Sequence, residues 1–272
     1  DVEGTRVEGD ATASLLHALQ TSFGEDDNAG DALFGPRRHV FIEWIDLLHW
    51  SLPTQWRVHN LLNDIRQSYD LLERDPQKVM QDLFASHDYS PATTPPQWSR
   101  HCRHIGGRRG SDGYACGFWT LMHVITVGVV QQHGAVLGDT TRISTLHVAR
   151  TMRDYIEEFF ACSVCQVTFV TLHDDGAYGR KERLSTRVEG DDIKWKELAL
   201  WLWEVHNDIN VRVVRDEAKA NMGVASKEQE MAAFWPNNVD CPDCSKEDGS
   251  WNQPKVYDFL KKEYWPKGVH NP

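Results

Sequence analysis

Apolar residues recur at intervals of three and four along most of the chain. Val58, Leu61, Leu62, Ile65, Tyr69 and Leu72 fall on one face of a helix drawn from Thr54 to Asp75. The segment Arg38 to Trp50 has the same period and must stop before Pro53, because the proline ring disfavours helical backbone in the residue preceding it. The two segments predict a helical hairpin. Further helices are expected at Tyr114 to Gln132, Thr141 to Phe160, Val164 to Leu172, Asp192 to Glu217 and Lys255 to Trp265. The period-two alternation that marks strands is scarce, so the pattern predicts an all-α protein. Asp139 and Asp191 are candidate N-caps, and Asp174 to Gly179 reads as a loop.

One stretch interrupts the periodic segments. Ser90-Pro91-Ala92-Thr93-Thr94-Pro95-Pro96 has prolines that fix φ and remove backbone donors, so residues 91–96 are the expected linker. Residues 1–90 hold no cysteine and read as a helix-rich structural region whose work is packing. Residues 97–272 hold all the cysteines and are expected to carry the chemistry.

The chain has 272 residues, with 40 acidic against 29 basic and a net charge of -11. That field repels phosphate backbones and anionic lipid, so no nucleic-acid partner is expected. The longest apolar run, Gly117 to Val130, is broken by His123 and falls short of the ~20 residues that cross a bilayer, so no membrane span is expected. Asp1 stands where Met would open a gene product, which reads as a mature form or an excised piece. Eleven Trp and 13 His exceed ordinary usage and suit a flat heteroaromatic ligand, since both side chains are planar and carry polar nitrogens.

The six cysteines are Cys102, Cys116, Cys162, Cys165, Cys241 and Cys244, an even number containing two C-x-x-C pairs. Their arithmetic favours pairing, and a real Cys102–Cys116 bond would imply an oxidising compartment. Cys162-Ser163-Val164-Cys165 sits between Phe159-Phe160-Ala161 and a periodic apolar run, a placement at the start of a helix. There the free N–H groups and the helix dipole stabilise a thiolate, which makes a redox-active disulfide chemically reasonable. The competing reading is a structural zinc with Cys241-Pro242-Asp243-Cys244 as its second half. The two pairs lie much further apart than the roughly 15 to 20 residues of zinc ribbons, and that reading leaves Cys102 and Cys116 unused. A flavin-free thioredoxin-like exchanger is weaker still, because no βαβ pattern surrounds either motif.

Two helix faces carry further chemistry. Cys116, Trp119 and His123 lie at i, i+3 and i+7, so a thiol, an indole and an imidazole share one stripe. Trp203, His206, Asn207 and Asn210 lie at i, i+3, i+4 and i+7 of another helix. Burying such groups without partners costs about 1 to 3 kcal/mol each, so a polar planar ligand between the indoles and imidazoles is the natural occupant. Together with a C-x-x-C, these faces suggest a flavin.

The motifs Cys116-Gly-Phe-Trp-Thr-Leu-Met-His123, Phe159-Phe-Ala-Cys-Ser-Val-Cys165, His206-Asn-Asp-Ile-Asn210 and Cys241-Pro-Asp-Cys244 resemble, in this order, those of the Erv-type sulfhydryl oxidases. The three cysteine pairs and Trp201-Leu202-Trp203 make the chain similar to the C-terminal half of the quiescin sulfhydryl oxidases. The resemblance implies a helical bundle holding FAD, packed against N-terminal helices that replace the second subunit of a dimer, so that the chain is a monomer with an internal pseudo-dimer. It implies a thiol oxidase that passes electrons from thiols through a C-x-x-C disulfide and the flavin to O2, giving H2O2.

Residue by residue, the resemblance assigns FAD binding to Trp119, His123, Trp203, His206, Asn207, Asn210 and Trp235. Cys162 would exchange with incoming thiols and Cys165 would face the flavin, while Cys102–Cys116 and Cys241–Cys244 would be structural disulfides. Ala232, Val164, Thr168 and Asp112 stand where family members carry Lys, an acidic residue, His and Arg, so Arg108, Arg109, Arg212 and Lys227 are the candidate replacements for phosphate contacts. Implied partners are small dithiols or a thioredoxin-like domain carrying its own C-x-x-C, which is not in this chain. The implied location is the secretory pathway (endoplasmic reticulum or Golgi) or the extracellular space.

Overall fold

The computed structural model describes residues 2–23, 33, 35–89, 96–104, 113–136, 143–186 and 192–267. It is all-α, as the periodicity predicts: among the described residues the only extended pairing is an isolated antiparallel bridge between Ser245 and Trp251. The helices are α1 (Val2–Ser22), α2 (Pro36–Ser51), α3 (Val58–Gln67), α4 (Tyr69–Leu72), α5 (Pro76–Ser86), α6 (Arg100–His104), α7 (Tyr114–Val136), α8 (Thr145–Phe159), α9 (Ser163–Asp174), α10 (Arg180–Arg183), α11 (Asp192–Ala220), α12 (Lys227–Ala232) and α13 (Gln253–Tyr264).

Local chemistry explains where the expected boundaries move. The single helix expected from Thr54 to Asp75 is two pieces, because Ser68 leaves helical backbone at φ -102°, ψ 9° and Pro53 to Trp56 forms a separate turn. Helix α8 starts at Thr145, with the Ser144 side chain accepting from the His147 N–H at 3.1 Å in the usual manner of a serine N-cap. The expected caps Asp139 and Asp191 lie outside the described residues, as do positions 91–95 of the proline-rich linker. The loop expected from Asp174 is partly helix: α9 runs through Asp174 before Gly176, Tyr178 and Gly179 take positive φ and turn the chain.

Helix α7 is the central element, with α1, α2, α11 and α13 packed around it. Residues Tyr114 to Gln132 are long and apolar enough to cross a membrane by length and composition, which the broken apolar run did not suggest. Of that span 78% is buried inside the protein. Two glycines let its neighbours approach. A Cβ on Gly117 would lie 2.7 Å from the Asp10 carbonyl oxygen on α1, and one on Gly128 would lie 2.0 Å from the Ser51 carbonyl oxygen at the end of α2. The Gln132 side chain then donates to the carbonyls of Ser51 and Leu52, both at 3.1 Å.

The hydrophobic core is continuous across the 91–96 segment. Trp44 of α2 stacks on Tyr155 of α8 at 4.1 Å between ring centroids and 11° between planes. Asp10, buried in α1, accepts from the Ser99 N–H at 2.8 Å and from its hydroxyl at 2.5 Å. Helices before the linker therefore supply one wall for α7 and α8.

Candidate redox site

The turn Phe160-Ala161-Cys162 ends α8 and opens α9. Cys162 is the N-cap of α9, and its Sγ accepts from the Cys165 N–H at 3.3 Å, the place a serine or aspartate oxygen usually fills. Cys162 and Cys165 are joined in a disulfide and are both partly buried. A sulfur here feels the positive end of a 12-residue helix, which favours its thiolate form after reduction. Val164 and Val167 beside the bond are 64% and 67% exposed, so its outer side is open and apolar.

One turn beyond Cys165, Phe169 meets the edge of Trp119 on α7, with centroids 6.3 Å apart. This contact connects the disulfide-bearing helix to a cluster of rings. Trp119 stacks on His206 of α11 at 4.0 Å and 3°. His123 and His206 share a hydrogen bond, Nε2 to Nδ1 at 3.0 Å, in which one ring donates and the other accepts. Burial, reinforced by the neighbouring His206, holds the His123 pKa well below its ordinary value; burial, aided by the charge of His101, pushes His206 down to about 3. Both rings are neutral at pH 7. His123 Nδ1 is buried without a hydrogen-bond partner, and Tyr264 of α13 stacks on the same imidazole at 4.8 Å.

The second stripe is spent inside the chain. Asn207 donates to the Trp235 carbonyl at 2.8 Å and accepts from the Trp235 N–H at 2.8 Å, while the Trp203 indole donates to that carbonyl at 2.6 Å. Asn210 donates to the Ala233 carbonyl at 3.4 Å. The polar cost that pointed to a ligand is met here by backbone, and the effect is to fasten Trp235 beside His123, at 5.6 Å, and Phe259, at 5.3 Å. The expectation of a ring lodged between indole and imidazole also needs correction for the Trp119–His206 pair. Rings 4.0 Å apart are already in contact, and an inserted ring needs about twice that separation. Trp119, His206 and Trp235 remain partly exposed beside the buried His123, Trp203 and Asn207, so a planar ligand would meet an outer ring surface of this cluster and not a slot within the stacked pair.

The other cysteines are also disulfide-bonded, Cys102 to Cys116 and Cys241 to Cys244. Cys102 and Cys244 are fully buried. The first bond fastens α6 to α7; the second closes the turn whose Cys244 carbonyl accepts from the Asn252 N–H at 2.8 Å, just before α13. All four sulfurs that the zinc reading requires are thus in disulfides. Arg108, Arg109 and Asp112 lie outside the described residues, and Arg212 reaches Asp216 at 3.7 Å on the surface. Sequence reasoning did not single out Phe169 or Tyr264. The four-residue spacing of Phe169 from Cys165 was a usable signal, whereas nothing local to Tyr264 points to His123.

Residues 116–230 match the family described as Erv1 / Alr. The sulfhydryl oxidase 2 of Mus musculus is 30% identical over 93% of this chain and 34% of its own length, and the sulfhydryl oxidase 1 of Arabidopsis thaliana is 30% identical over 72% and 32%. The sulfhydryl oxidase 1 of Oryza sativa subsp. japonica is 31% identical over 62% of this chain and 28% of its own length. The chain thus spans about a third of these relatives. The solved sulfhydryl oxidase fragment of human QSOX1 has the same fold, with a TM-score of 0.64 over 94% of both chains at 20% identity.

Proposed function

We propose, given that this chain belongs to the Erv1 / Alr family, that it is an FAD-dependent thiol oxidase working through the Cys162–Cys165 disulfide. The observation that carries this reading is the position of that disulfide: at a helix N-terminus, open on its outer side, and one turn from the ring cluster of Trp119, His123 and His206. An incoming thiolate attacks Cys162, the thiolate of Cys165 leaves stabilised by the first turn of α9, and a second thiol completes a new disulfide in the substrate. Two thiols are oxidised and the Cys162–Cys165 bond is reduced to a dithiol.

The residues fit a flavin. The unpartnered His123 Nδ1 and the partly exposed rings of Trp119, His206 and Trp235 offer one polar atom among flat apolar surfaces. FAD held there would supply a two-electron acceptor for the dithiol, with O2 as the final acceptor and H2O2 as the product. Asn207, Trp203 and Asn210 hold the segment carrying Trp235 against this surface. Small dithiols, or a thioredoxin-like domain with its own C-x-x-C, are the proposed thiol donors. Residues 1–90 act as the structural half of a monomeric pseudo-dimer, and three disulfides suit an oxidising compartment of the secretory route or outside the cell.

The purified chain should be yellow and should consume O2 on addition of dithiothreitol. Cys165→Ser should retain the flavin spectrum and lose at least ~100-fold in turnover; rapid bleaching by dithiothreitol in that variant would remove the disulfide from the mechanism. A colourless protein that takes up no FAD would overturn the assignment.

A further inference from the structure

A cavity of about 610 Å³ lies at the far end of α9 from Cys162, between the first turns of α8, the His173-Asp174 end of α9 and the start of α10. None of the ring-cluster residues lines it. It contains Arg180, which is only 8% exposed. The Arg180 Nε donates to the His173 carbonyl at 2.7 Å, and among the described residues its terminal nitrogens meet no hydrogen-bond acceptor. Burial lowers the Arg180 pKa, outweighing the opposing attraction of the nearby Asp174 carboxylate.

The carboxylates in the wall are committed elsewhere. Asp174 accepts from Arg153 at 2.9 and 3.2 Å and from His173 Nδ1 at 2.7 Å, and Asp154 accepts from Arg153 at 2.9 Å. Arg150 comes no closer than 4.0 Å to Asp154 and keeps 76% of its side chain exposed at the mouth. His173, 6% exposed, gives its Nδ1 proton to Asp174, which leaves Nε2 as a buried acceptor with no partner. Ser144 at the head of the 15-residue α8 lines the same space, and the first turn of that helix is closed within the chain: the Leu146 N–H donates to the Ser185 carbonyl and the His147 N–H to the Ser144 hydroxyl, both at 3.1 Å.

From this geometry we propose that the cavity is a binding site for a small oxyanion-bearing molecule, whose phosphate or carboxylate group pairs with Arg180 and Arg150 while a hydroxyl or N–H of the same molecule donates to His173 Nε2. A phosphate or carboxylate matches the unmatched guanidinium, and the neutral imidazole selects for an adjacent donor. In a chain of net charge -11, such a site requires local arrangement rather than bulk attraction.

Calorimetric titration of the full chain with sodium phosphate at pH 6.5, where dihydrogen phosphate carries both acceptors and a donor, tests the site against sodium chloride of equal ionic strength. Sodium citrate forms the carboxylate arm. Saturable binding of phosphate marks a phosphate-bearing ligand and saturable binding of citrate a carboxylate one; either supports the site if Arg150→Gln weakens it at least ten-fold with an unchanged circular dichroism spectrum. Arg180→Lys, which keeps the charge but loses the fork, should weaken binding further. The absence of saturable binding by both anions, or equal affinity in wild type and Arg150→Gln, would overturn the proposal.

Discussion

Asn207 shows how a single side chain can be read for the wrong partner. Its position one helical turn from Trp203 is visible in the sequence, but the backbone of Trp235 that consumes its donor and acceptor arrives 28 residues later. Asn207→Asp keeps the acceptor and loses the donor, leaving the Trp235 carbonyl with the Trp203 indole alone. It should cost about 1–3 kcal/mol in urea unfolding and quench or shift Trp fluorescence; an unchanged midpoint would show that Trp235 is held by other means. The hydrogen-bonded His123–His206 pair sets a pH dependence. An unfolded chain protonates His206 near pH 6.5, whereas the folded chain resists until about pH 3, so stability is full above 6.5 and falls as pH drops through that window. Melting temperature should therefore decline from pH 7 to pH 5, and His206→Gln should flatten the decline. A profile equally steep in the variant would assign the titration to other groups.

The seven-residue gaps of helix faces carried most of the element-level reading. The segments from α7 to α9, together with α11, were legible because their apolar stripes are dense and their cysteines and histidines fall in register. Helix α1 was not: Val7, Ala11, Leu15, Ala18 and Leu19 are its buried face, but Gly4, Gly9 and the acidic Glu3, Glu8 and Asp10 dilute the signal, and the surface they cover belongs to a helix a hundred residues away. The cap of α8 is Ser144, a serine beside the first turn that the expected start at Thr141 passed over. The cavity residues from Ser144 to Arg180 had no common period, so no sequence pattern joined them. The contact between α1 and α7 gives a direct check. Gly117→Val would push a branched side chain into the Asp10 carbonyl and Trp98, and should destabilise the fold by about 1–3 kcal/mol with the disulfides intact. A variant that melts like wild type would mean that α1 shifts freely at this crossing.

At the scale of the molecule, the regions on either side of the expected 91–96 linker share one core. Phe23, Phe41 and Trp44, all before the proline-rich segment, belong to the same buried cluster as Phe118, Tyr155 and Phe159 after it. Expressing residues 97–272 alone would uncover the face of α7 that α1 and α2 now bury. That fragment should aggregate or show the broad melting of a loosely packed state, and addition of residues 1–90 as a separate chain should restore a cooperative transition. A sharply melting, monomeric fragment would show that the catalytic helices are self-sufficient.

The sulfur at the head of α9 has two employments. Cys162 holds the Cys165 amide in the first turn of its own helix, and in the proposed mechanism it is also the sulfur that incoming thiols attack. In that mechanism Cys162 keeps its place at the helix start while it is bonded to the substrate sulfur and the charge falls on Cys165 one turn inside, so the cap of α9 outlasts the opening of the bond.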